Sequence, residues 1–265
     1  VASIAARSDG SLVGVYGGPE HLHYSIRSPE GTWGNEATIL SPTGAPLSGP
    51  QLACGTGGAV HLAYTRRDGT AWYRRIRPDG SLTPPQKVSS KLGTATKDIG
   101  SVLPLVHLSE TNTTVILYRR ADGTMWARRA GADGTLSAPT QVTKRTVVQS
   151  AADSDQVGAD AVAFGSTVHV LFIEEETGRL YHTSSPESGS SESGSPESGT
   201  WTPATLQVDS ADVQWVRGQL ISKGTSSPDA YGYVYDAGSN GGSGMNWYDE
   251  VPLTDRQSAD QNDQL

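Results

Sequence analysis

Apolar and polar residues alternate with a period of two along most of this chain, in short runs separated by Gly, Asp, Pro and Ser. That period predicts half-buried strands. No window presents a sustained apolar i, i+3, i+4 face, so no helix competes with the strands. Five runs end in an aromatic: 12–16, 60–64, 114–118, 168–172 and 231–235, closing on Tyr16, Tyr64, Tyr118, Phe172 and Tyr235. The aromatics are 48, 54, 54 and 63 residues apart. A strand precedes each run, at 3–6, 50–54, 99–106, 160–164 and 213–221. Another follows it, at 21–26, 71–77, 125–130, 179–183 and 245–249. Fourth strands read at 36–40, 86–89, 140–143 and 205–208, and residues 251–253 are the candidate for the last copy.

The copies are true repeats. Arg66-Arg67-Asp68-Gly69-Thr70-Ala71-Trp72 returns 54 residues later as Arg120-Ala121-Asp122-Gly123-Thr124-Met125-Trp126. Self-similarity at about 50 residues means an array of small sheets. Four antiparallel strands, five times over, predict an all-β, five-bladed β-propeller in a single domain over 1–265, with six blades as the alternative count. The Asp-Gly pairs at 68–69 and 122–123 are expected to form two-residue hairpin turns. Residues 185–200, rich in Ser, Glu and Gly, read as a low-complexity loop, and 255–265 as a polar tail.

Composition narrows the class. No apolar run approaches the length of a transmembrane helix, and the first residues carry no leader pattern. A secreted or extracellular protein whose leader has been removed is the expectation. A single cysteine, Cys54, excludes an internal disulfide and reads as a small apolar filler at a strand end. Net charge is −8, unevenly spread: residues 66–145 hold 14 Lys+Arg against 6 Asp+Glu. A net-negative chain argues against nucleic acid, while its basic sector suits an anionic ligand.

Several residues carry possible chemistry. His61 and His169 hold equivalent places on second strands, where a repeated imidazole acts as a general base or, more commonly, as a hydrogen-bonded structural group. Tyr233 completes the catalytic candidates. Arg74 and Arg128 present guanidinium groups suited to carboxylates or sulfates. Trp72, Trp126 and Trp247 share a blade position that Leu22 and Leu180 take in the other two copies, a pattern of inter-blade core. Trp72 and Trp126, with Trp215 near the axis, are also the candidates for stacking on a ligand. His21 and His23 lack further ligands for zinc, and no cofactor or metal motif occurs.

Ser28-Pro29-Glu30-Gly31-Thr32-Trp33 and Ser195-Pro196-Glu197-Ser198-Gly199-Thr200-Trp201 resemble shortened sialidase Asp-boxes with Glu for Asp. Together with the Asp-Gly-Thr-x-Trp phrases, they make the chain similar to sialidase-like propellers and to fungal fucose-lectin propellers. The fucose lectins bind sugar between blades through an Arg and a Glu. Aligned here, the Arg position falls on Val13, His61, Val115, His169 and Gly232, and the Glu position on Tyr24, Arg74, Arg128, His182 and Asp249. No blade keeps the pair. The sialidase set would have to come from Arg7, Arg27, Tyr233 and Glu250, whose spacing does not demand it. The resemblance implies a lectin-like protein binding a glycan, acidic ones included. The alternative is a lyase or glycoside hydrolase acting on an acidic polysaccharide in the axial funnel. A weaker one is an enzyme acting on a small apolar metabolite.

Overall fold

The computed structural model describes residues 2–17, 21–39, 50–66, 68–92, 104–149, 158–186, 200–211, 213–222, 228–237 and 246–253. Blade one comprises β1 (Ala2–Ala6), β2 (Leu12–Gly17), β3 (Leu22–Arg27) and β4 (Ala37–Ile39). Blade two comprises β5 (Gln51–Cys54), β6 (Val60–Thr65), β7 (Ala71–Ile76) and β8 (Gln86–Ser89). Blade three is β9 (Leu105–Leu108), β10 (Thr113–Arg119), β11 (Thr124–Ala130) and β12 (Thr140–Thr146). Blade four is β13 (Ala159–Phe164), β14 (Thr167–Ile173), β15 (Leu180–Pro186) and β16 (Thr205–Val208). Blade five has β17 (Val213–Ile221), β18 (Ala230–Ala237) and β19 (Asn246–Pro252). Every sheet is antiparallel in chain order, giving the five-bladed propeller. No helix among the described residues is long and apolar enough to cross a membrane.

Three expectations change. Val251 and Pro252 extend β19, opposite Tyr231 and Ala230, so they are not a fourth strand. The Asp-Gly hairpins are not two-residue turns. Gly123 N–H donates to the Arg120 carbonyl (3.0 Å), Arg120 N–H to that of Thr124 (2.9 Å), and among residues 120–124 only Gly123 has a positive φ, 83°; Gly69, with φ 74°, makes the same bond to the Arg66 carbonyl (3.0 Å). That is a type I turn closed by a left-handed glycine. The Asp68 carboxylate accepts from the Thr70 amide (3.1 Å) and hydroxyl, and Asp9, Asp79, Asp122 and Asp133 repeat the motif. Those hydrogen bonds hold the carboxyls of these last four below the usual aspartate range. The third change is one of register. Tyr64, Tyr118 and Tyr235 lie opposite Trp72, Trp126 and Trp247, and Tyr16 and Phe172 lie opposite His23 and Tyr181. The tryptophan position is therefore filled by His23 and Tyr181 in blades one and four, not by Leu22 and Leu180. Of the expected first strand at 99–106, residues 99–103 lie outside the described residues, as do 187–199 of the predicted loop and 255–265 of the predicted tail.

The core sits between blades. Alternate residues of each second strand face the next and the previous blade, as a period of two requires. Val15 packs in one cluster with Leu62, Ala63 with Ile116, Leu117 with Val170, and Leu171 with Tyr233. None of the eight is more than 1% exposed. Each buried Leu, Val or Ile contributes on the order of 1.5–3 kcal/mol. These four clusters join blades one to two through four to five. No cluster among the described residues joins blade five to blade one. There the equivalent residues are Gly14 and Val234, the latter 37% exposed.

Candidate functional site: a groove between blades three and four

The position two residues beyond the tryptophan site on each third strand decides what fills the space between outer blade edges. Ser25, Arg74, Arg128 and Thr183 occupy it in blades one to four, by register. All four bond the same carbonyl of the link to the fourth strand. Ser25 Oγ donates to Gly34 O (2.8 Å), Arg74 Nε to Thr83 O (2.7 Å), Arg128 Nε to Ser137 O (2.7 Å) and Thr183 Oγ1 to Thr202 O (2.7 Å). The arginine is long enough to do more. Arg128 reaches back to blade two, its Nη1 donating to Lys87 O (2.9 Å). Arg74 and Arg128 thus bond backbone carbonyls within the blade stack. In blades one and four the Glu position of the lectin alignment moves by one, from Tyr24 and His182 to Ser25 and Thr183.

Thr183, fully buried, is too short for that reach, and a groove of about 780 Å³ lies near it, between β12 and the 200–204 segment. One wall is the edge strand β12, with Gln141, Thr143, Lys144 and Arg145; the other is the 200–204 segment carrying Trp201. Trp201 holds the place of Leu82 and Leu136, which pack into the inter-blade cores of blades two and three. Its indole packs on the blade three–four core, and its Nε1–H is buried with no partner among the described residues. The fully buried Arg129 guanidinium lies 5.8 Å from the Trp201 ring, held by Ser185 Oγ at 2.8 Å. Arg145 is half-exposed, ion-paired with Glu174 and 4.1 Å from the Tyr181 ring. That carboxylate raises the Arg145 pKa above the usual arginine value. The groove therefore offers an aromatic wall, side-chain hydroxyls and an amide, and two cations.

The remaining sequence candidates sit elsewhere. His61 is 4% exposed, its Nδ1 2.6 Å from the Tyr73 hydroxyl and its ring stacked on His107 at 5.2 Å. His107 Nε2 accepts from the Thr56 amide (3.0 Å), and its Nδ1 faces Thr114 Oγ1 (2.9 Å). His169 stacks on His182, with Nδ1 3.1 Å from Nε2. Burial lowers His61 to about 3 and His169 and His182 to about 4, so all are neutral at physiological pH. Tyr233 is buried against blade four, and burial, with Asp249 beside it, raises its pKa. Trp72 and Trp126 bond through Nε1 to Thr70 and Thr124, both at 2.7 Å, and carry Arg66 and Arg120 over their rings at 5.5 and 3.4 Å. Trp215 is half-buried on β17, opposite Asp236. Burial raises the Cys54 thiol pKa, in keeping with a filler. Asp160, which the strand pattern did not single out, accepts from Gly218 N–H of blade five (2.6 Å), and burial raises its carboxyl.

No protein-family model matches the chain, and no curated protein matches it in sequence. Solved structures do share its fold. The BP39L lectin from Burkholderia pseudomallei is 15% identical with a TM-score of 0.60, over 96% of this chain and 69% of that one. The NanB sialidase from Streptococcus pneumoniae is 12% identical with a TM-score of 0.55, over 88% of this chain and 36% of that one. The intramolecular trans-sialidase from Ruminococcus gnavus is 11% identical with a TM-score of 0.56, over 88% and 50%. The chain thus spans about a third of the sialidase's length and about two thirds of the lectin's.

Proposed function

We propose that this protein is a carbohydrate-binding, lectin-like propeller that takes an acidic glycan in the groove between blades three and four. The observation that carries the reading is the Trp201 side chain lining an open groove opposite the basic edge of β12. Sugar rings stack on aromatic faces while their hydroxyls seek amide and hydroxyl partners. Lys144 and Arg145 add charge that suits a carboxylate or sulfate. The lectin and sialidase names among the similar folds agree with a glycan ligand but choose no sugar.

The test is a glycan array of uronate-containing, sialylated, sulfated and neutral sugars, read for the wild type and for Thr183→Arg. In that variant the guanidinium is placed to reach the carbonyls of Gln141 and Val142, counterparts of Lys87 and Val88, and so to fill the groove as Arg128 fills its own. Loss of acidic-glycan binding with an unchanged melting curve supports the reading. Binding that survives in a folded Thr183→Arg protein refutes it. A parallel assay for unsaturated uronates and new reducing ends separates binding from turnover, and turnover would make the protein a lyase or hydrolase.

A further inference from the structure

A second position recurs on the third strands, three residues beyond the tryptophan site. Ile26, Arg75, Arg129 and Ser184 occupy it in blades one to four, by register. In the first two blades it closes on the turn between the third and fourth strands of the next blade. The Ile26 side chain lies 3.4 Å from where a Cβ on Gly80 would sit. The Arg75 guanidinium crosses to blade three and donates to the carbonyls of Ala132 (2.8 Å) and Asp133.

Arg129 does something else. Its guanidinium is fully buried, and its Nη2 donates to Ser185 Oγ on β15 (2.8 Å), itself fully buried. Its Nη1 lies 3.4 Å from Thr140 Oγ1 on β12, one wall of the groove. The same guanidinium is 5.8 Å from the Trp201 ring, within cation–π reach. By position, the first interface sets Ile26 with Leu82 and the second sets Arg75 with Leu136. The third sets Arg129 with Trp201. A leucine in that place needs only to fill volume, whereas an indole must also present a face. The change to tryptophan therefore creates a need for an orienting contact, and a desolvated cation fixed to both blades supplies one.

We propose that Arg129 is a positioning residue: its buried guanidinium, anchored on Ser185 and Thr140, holds the Trp201 indole in place as the groove wall. The placement of Trp201 follows from these contacts, whereas any effect on glycan affinity rests on the groove reading above.

Tryptophan fluorescence tests the placement directly. Wild-type emission minus that of Trp201→Leu isolates the Trp201 signal among the six tryptophans, and leucine is the residue that Leu82 and Leu136 place there. The same subtraction in an Arg129→Met background reads the indole without its guanidinium. In Arg129→Met the Trp201 signal should shift to the red and be quenched about twofold more by acrylamide, with acidic-glycan affinity about tenfold weaker, the order of a desolvated cation–π contact. Arg129→Lys, which keeps the charge, should recover part of both. Where Arg129→Met fails to fold, Ser185→Ala carries the test: it frees one arm of the fork and should move both readouts the same way by less. A purely structural arginine would lower the melting temperature and leave the Trp201 signal of the folded variants unchanged, and that result overturns the proposal. A displaced Trp201 with unchanged glycan affinity upholds the positioning role and refutes the groove reading instead.

Discussion

Acidification from pH 7 to pH 5 should destabilise this protein through three histidines held neutral inside it. His61 has a pKa of about 3, and His169 and His182 of about 4, each lowered chiefly by burial. In the unfolded chain each returns to about 6.5. Between those values the unfolded state binds protons that the folded state refuses, so stability falls as pH drops below the unfolded value. At pH 5 each histidine is about 1.5 units below its unfolded pKa, which is worth about 2 kcal/mol. Taken together the cost is on the order of 5 kcal/mol, a large part of a typical stability of about 5–15 kcal/mol. For a chain of this size that corresponds to a fall in Tm on the order of 10 °C. The turn aspartates do not confound the window: their pKa values are lowered, so their contribution is lost only below the usual aspartate range. Asp160 acts in the opposite sense, because its raised pKa favours proton uptake by the folded state, and Asp160→Asn removes that slope. Urea unfolding at half-unit steps from pH 7 to pH 5 measures the effect. His61→Leu should flatten the curve by roughly a third while lowering stability at pH 7, because the Tyr73 hydroxyl loses its partner. A flat profile in the wild type, or a slope unchanged in both His61→Leu and the His169→Leu, His182→Leu double variant, refutes the reasoning.

Other substitutions separate structural from binding roles. Leu62→Ala, in the core between blades one and two, should cost about 2–5 kcal/mol in urea unfolding, whereas Val234→Ala, at an exposed position of β18, should stay within about 0.5 kcal/mol. Arg128→Ala should lower stability by about 1–3 kcal/mol, because the Ser137 and Lys87 carbonyls lose their donor, and should leave glycan affinity unchanged within twofold. Gly123→Ala should destabilise by more than about 1 kcal/mol, since φ is 83° and the new methyl would meet Thr146 at 3.0 Å. If the ligand is acidic, affinity in isothermal titration should fall as salt rises from low to physiological strength, where screening acts over about 8 Å.

The blades were legible because their signals are local. Tyr64, Tyr118 and Phe172 mark second strands by alternation alone, and the Asp-Gly-Thr phrases mark turns through chemistry confined to five residues. Register was not so secure. Leu22 and Leu180 looked like counterparts of Trp72 by size, but strand pairing gives that place to His23 and Tyr181. A one-residue slip exchanges the two faces of a strand, and blades one and four lack the Asp-Gly-Thr turn that anchors the count in blades two and three. Asp160 was invisible for another reason: its partner is the Gly218 amide, 58 residues away on the next blade.

The arginines teach the converse. Arg74 and Arg128 drew attention as ligand residues because they recur, yet recurrence is also what a structural task at every blade interface produces. Each bonds the same link carbonyl, as Ser25 and Thr183 do in their own blades. An open groove needs the repeat to fail at one interface. Thr183 supplies that failure by keeping the carbonyl bond while giving up the reach, and Trp201 in place of leucine lines the space that results. In a chain built from near-copies, the departures from the repeat are where a binding site has room to form.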